Sequence, residues 1–183
     1  MRKKAQMEII GLVVIVILIA LGMLFMAQFA LKSDSSKKIF VRKGLAYSTM
    51  GALMKTEAEC EDYSLYGLEK TNFLAIESKL LDDCAEHYQE YVAGDRSDYN
   101  CNNKHSCEFT KNLIEDRLEE TLGKWNKHYE FRSILLLGEN PPTLIEIKNP
   151  EGIGCPKERD SSGMFPLSTQ NGLLVETVLY VCD

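Results

Sequence analysis

The longest signal in the chain is the run from Ile9 to Ala27, in which every residue is apolar or glycine. At about 1.5 Å of rise per residue it suffices for roughly 30 Å of hydrocarbon, and it predicts a long N-terminal helix, transmembrane or stalk-forming. Ser33-Asp34-Ser35-Ser36 then interrupts the apolar pattern, as a cap for a new helix or a kink in the old one. Ile39, Ala46, Met50 and Leu53 recur at nearly helical spacing and predict an amphipathic continuation to about Lys55. Phe73, Ile76, Leu80, Cys84, Tyr88 and Tyr91 make a stripe that stops near Gly94. Phe109, Leu113, Ile114, Leu118, Leu122 and Trp125 make another, opened by Ser106. Both predict helices whose apolar sides enter a core.

After Lys127 the period changes from helical to alternating. Tyr129, Phe131, Leu135 and Leu137 share one strand face, Ile145 and Ile147 alternate with Leu144, Glu146 and Lys148, and Asn140-Pro141-Pro142 fits the turn between them. Met164 to Thr169 and Leu173 to Val181 flank Gln170-Asn171-Gly172, where Asn-Gly favours the positive φ angles of a tight hairpin. A polar loop, Asn149 to Ser162, separates the two hairpins. The expected fold is α+β: a long N-terminal transmembrane or stalk helix, two further helices, and a C-terminal antiparallel meander of about four strands.

Charge sharpens this picture. Residues 1–43 hold eight Lys/Arg against two Asp/Glu, and residues 44–183 thirteen against twenty-five. An acidic body repels phosphate backbones, so no nucleic-acid partner is expected. The six cysteines, Cys60, Cys84, Cys101, Cys107, Cys155 and Cys182, all follow the apolar run, and their even number points to three disulfides in an oxidising compartment. Buried free thiols are the alternative; a zinc shell lacks the second CxxC or His pair it needs. Chain geometry favours Cys155–Cys182, pinning the polar loop to the last strand, and Cys101–Cys107, closing a short turn. Cys60–Cys84 is what remains, fastening stalk to head.

No residue set assembles a catalytic constellation. His87, His105 and His128 fall in different segments without a nucleophile or ligand at motif spacing, and Gly152-x-Gly154 opens no helix after a strand. Glu115-Asp116 and Glu119-Glu120 read as a solvated helix face. Neither an enzyme nor a cofactor or metal site is expected.

The residues before the apolar run carry the most specific signal: Met1-Arg2-Lys3-Lys4-Ala5-Gln6-Met7-Glu8 is a basic leader, a small residue, a glutamine and one acidic residue. This resembles the class III signal peptide of type IV pilins and archaellins, most closely the archaeal versions, over about the first thirty residues. The resemblance implies that a membrane-embedded prepilin-type peptidase cuts between Ala5 and Gln6, leaving the apolar helix on the mature protein. The family's acidic residue usually stands fifth in the mature chain, whereas Glu8 would be third. A carboxylate at the head of an apolar helix is relieved by a neighbouring subunit's N-terminal amine or by its own helix dipole, which would set subunit register; an interfacial Glu8 facing water stands as the alternative.

The chain then divides into a leader over 1–5, an apolar transmembrane or filament-core helix over 6–31, an amphipathic stalk over 32–58 and a disulfide-stabilised head over 59–183. The expected function is that of a pilin-like filament subunit, assembled with like subunits by helix packing and serving adhesion or surface attachment. Its expected location is a single-pass position in the membrane with the C-terminal domain outside the cytoplasm, then the cell surface. The rival reading is a single-pass anchored binding or receptor domain that never polymerises.

Overall fold

The structure, a computed structural model, describes residues 2–62, 70–94, 99–156 and 159–182, and of these the side chains of all but 2–12, 29–37, 61–62, 70–72 and 100. The chain forms two compact units, Met1–Val41 and Arg42–Asp183. Helix α1, Arg2–Met54, supplies the first and runs on into the second. It is unbroken at Ser33-Asp34-Ser35-Ser36, so the segment does not open a new helix there. Ser and Asp inside a helix each cost less than about 0.7 kcal/mol relative to Ala, and neither Gly nor Pro lies there to interrupt it.

Among the described residues no helix is long and apolar enough to cross a membrane. The transmembrane helix expected over 6–31 is corrected on that ground. With it goes the placement as a single-pass membrane protein with an extracytoplasmic domain, at the cell surface after assembly.

The second unit is mixed α+β. From α1 it buries Ala46, Met50, Leu53 and Met54. Strand β1, Glu57–Asp62, pairs antiparallel with β2, Lys70–Ala75, and on its other edge with the two-residue β3, Tyr99–Asn100. This small sheet was not expected. The stripe read as one helix over 73–91 is divided: Phe73 belongs to β2 and is 71% exposed, and a π-turn, Ile76–Leu80, leads into α2, Leu81–Glu86, and α3, Tyr88–Ala93. The ladder to β1 claims the backbone as far as Ala75, and His87 (φ −102°, ψ 24°) separates α2 from α3. Gly94 ends α3 in the left-handed region. Helix α4, Ser106–Leu118, continues into a π-turn, Glu119–Gly123, and packs on α2 and on the larger sheet.

That sheet contains β4 (His128–Leu135), β5 (Thr143–Asn149), β6 (Asp160–Ser161), β7 (Phe165–Ser168) and β8 (Leu174–Cys182). Its order is β5-β4-β8-β6, with β7 sharing β8's outer edge with β6. A sequential four-stranded meander is therefore corrected to a five-stranded antiparallel sheet in which the last strand is central. The reason is burial: Val175, Thr177, Val178, Leu179, Val181 and Cys182 are all buried, which an edge strand cannot achieve. The β7–β8 turn also differs from the expected tight form. Only Gly172 takes positive φ (78°), and Thr169 and Leu173 close a three-residue loop, Thr169 N–H donating to the Leu173 carbonyl at 2.8 Å.

Candidate functional site

The first unit presents an exposed apolar surface among the described residues. Between Val13 and Met26 the large side chains are exposed, from 47% at Leu21 to 79% at Met26, and they succeed one another without a charged residue. Because consecutive helical residues point about 100° apart, this run is apolar around the whole circumference rather than along one stripe. A helix of that kind is ordinarily buried on all sides. Ala5, Gln6 and Glu8 precede it within α1, and their side chains lie outside the described residues.

The second unit is tied together by three disulfides, and two of the expected pairings are corrected. Cys155–Cys182 forms as expected, with Cα atoms 5.8 Å apart. Cys60 bonds to Cys101, not Cys84. The pairing of β3 with β1 sets Asn100 opposite Glu61, so the next residue, Cys101, falls beside Cys60 at a Cα separation of 4.5 Å, as in a non-hydrogen-bonded cross-strand pair. Cys84 bonds to Cys107 because α2 packs on the start of α4. Cys101 and Cys107 thus flank one turn but serve different elements.

The polar loop after β5 is held by more than its disulfide. Arg159 Nη1 donates to Glu130 Oε2 at 2.9 Å, and its guanidinium lies 3.9 Å above the centre of the Tyr180 ring. Gly154 (φ 64°) lets the loop pass close by: a Cβ there would stand 3.1 Å from Glu130 Oε2. Arg42 of α1 pairs with the buried Asp160 at 2.8 Å.

The histidines are less scattered than their sequence positions indicate. His105 caps α4, its Nδ1 accepting from Cys107 N–H at 3.1 Å, so the neutral ring carries its proton on Nε2. Nε2 is buried and, among the described residues, makes no hydrogen bond of good geometry, and the ring lies 5.0 Å from that of Tyr91. Burial and then the charge of His87 hold the His105 pKa below its ordinary value, against the opposing pull of Glu90, the His87 backbone and Glu108. His87 Nε2 is 3.6 Å from Asp83 Oδ1, and His128 opens β4 opposite Cys182. Among the described residues no group of three or more His, Cys, Asp or Glu is arranged to hold a metal ion.

The carboxylates of α4 and its π-turn are exposed, but Glu119 is more than a solvated charge. Its Oε2 accepts from Tyr129 Oη at 3.1 Å and Asn149 Nδ2 at 2.7 Å, joining the helix end to β4 and β5. Burial raises the Tyr129 pKa, and Glu119's charge adds to the rise while Asn149 opposes it. Trp125, read as core, is instead 63% exposed. It helps to line a groove of about 320 Å³ between α1 and the end of α4. Nothing in the spacing of Trp125 separates an exposed residue from a core one, so sequence alone missed this groove. No family model, curated protein or solved structure matches the chain.

Proposed function

We propose that the chain is a filament subunit similar to type IV pilins, cut by a prepilin-type peptidase between Ala5 and Gln6 and assembled by packing its apolar helix among those of like subunits. The observation that carries this reading is the uncharged, exposed apolar circumference of α1 between Val13 and Met26. One partner covers one face of a helix; a surface apolar all round calls for neighbours on every side, and a bundle of identical helices supplies them. Two further features support it. The leader Arg2-Lys3-Lys4-Ala5-Gln6 resembles the class III cleavage site. The head is closed by three disulfides, which form and persist in oxidising environments.

In this reading Glu8 sets the axial register, its carboxylate meeting the new amine of a neighbour's Gln6. The filament serves attachment through its heads. Mass spectrometry of the N-terminus of the native protein tests the reading: the expected mature chain starts at Gln6. An intact Met1 on assembled or secreted protein counts against it.

A further inference from the structure

We propose that the groove between α1 and the end of α4 is the receptor for the apolar helix of a second copy of this chain, so that each head grips a neighbour's residues 13–26. This deepens the filament reading and rests on it. On the α1 side the groove is lined by Leu45, Ser48, Thr49, Ala52 and Leu53, which the i, i+3, i+4, i+7 spacing sets on one helix face, and by Thr56 just after the helix. From Leu45 to Leu53 that face runs about 12 Å at roughly 1.5 Å per residue, just over two turns of helix. Arg117, the buried Leu118, Thr121 and the exposed Trp125 complete the lining.

The chemistry of the lining selects the occupant. Three of its hydroxyls are turned to their own backbone: Ser48 donates to the Leu45 carbonyl, Thr56 to that of Ala52, and Thr121 to that of Arg117. Arg117 is the charged side chain of the lining, and its Nη1 is held by Glu120 at 3.0 Å. The groove therefore confronts an incoming segment with no unneutralised charge and suits a neutral, apolar one. Among the described residues, 13–26 is the uncharged apolar helix surface left uncovered, and Val14, Ile17, Leu18 and Leu21 form the i, i+3, i+4, i+7 row of aliphatic anchors that a groove of this kind receives. Tryptophan is among the residue types enriched where binding energy concentrates.

The test uses the full chain, processed and assembled, with a benzophenone amino acid at position 125 and an equal mixture of isotopically light and heavy protein. Irradiated filaments should yield peptides joining position 125 to residues 13–26, with mixed light–heavy pairs making up half of them. In parallel, Trp125→Glu, which changes an exposed side chain and should retain all three disulfides, should lower the fraction of chain in filaments at least tenfold. Filaments whose links from position 125 fall only on other segments, or only within one copy, overturn the groove assignment and leave the filament reading standing. So does a Trp125→Glu protein that keeps its disulfides and assembles like the parent. Parent protein that forms no filaments overturns the reading and the groove assignment together.

Discussion

His105 shows how one side chain can couple a helix cap to pH. Its neutral ring caps α4 through Nδ1, and protonation would remove that acceptor and set a cation at the positive end of the helix dipole. The folded-state pKa lies below the ordinary value of 6.5, so the unfolded chain binds more protons in the interval between the two. His105's contribution is therefore complete above about pH 6.5 and is lost as pH falls through 6.5 towards the folded value. His105→Asn keeps a capping oxygen and cannot titrate; its denaturant midpoint should fall less between pH 7.5 and pH 5.5, set here as roughly one unit either side of 6.5, than that of the parent. His105→Ala should cost about 1 kcal/mol at neutral pH through loss of the cap. Equal pH dependence in the parent and the Asn variant would show that His105 does not carry the effect.

At the level of elements, what the sequence made legible is what depends on periodicity. The stripe through Ile114, Leu118 and Leu122 is fully buried, as its helical spacing predicts, and the alternation of Tyr129 and Phe131 places both in the core of β4. Pairings made by very short elements were not legible. Strand β3 has two residues, too few for any pattern, yet it decides that Cys101 meets Cys60 and thereby frees Cys107 for Cys84. Strand β2 was hidden because Phe73 completes a helical stripe by spacing while its backbone is committed to β1. The anchoring of the β7–β8 loop was equally invisible: Asp82 and Glu86 of α2 accept from the Gln170 and Asn171 amides at 3.1 and 3.0 Å, a contact between residues more than eighty positions apart. Non-reducing peptide mapping should recover Cys60–Cys101, Cys84–Cys107 and Cys155–Cys182. Replacing Cys60 and Cys101 together by Ser should lower the unfolding free energy by roughly 3–4 kcal/mol, most of it from the freer unfolded chain. A Cys60–Cys84 peptide would contradict the β1–β3 register.

Taken whole, the molecule joins an uncharged helix surface, apolar on every side, to an acidic, cross-linked α+β unit. The candidate site was partly legible in advance: the run from Ile9 to Ala27 announced a helix needing cover, but spacing alone did not indicate that a groove beside Trp125 offers a place for one. The head contains its own core and its own covalent restraints, so its stability does not depend on what covers the helix. Assembly does. Electron microscopy of the processed native protein tests the central claim most directly. The expected result is a filament whose interior is a bundle of α1 helices, with residues 13–26 of each copy contacted by several others. Protein that stays as single chains at every concentration and salt condition, or filaments whose interior lacks those residues, would contradict it.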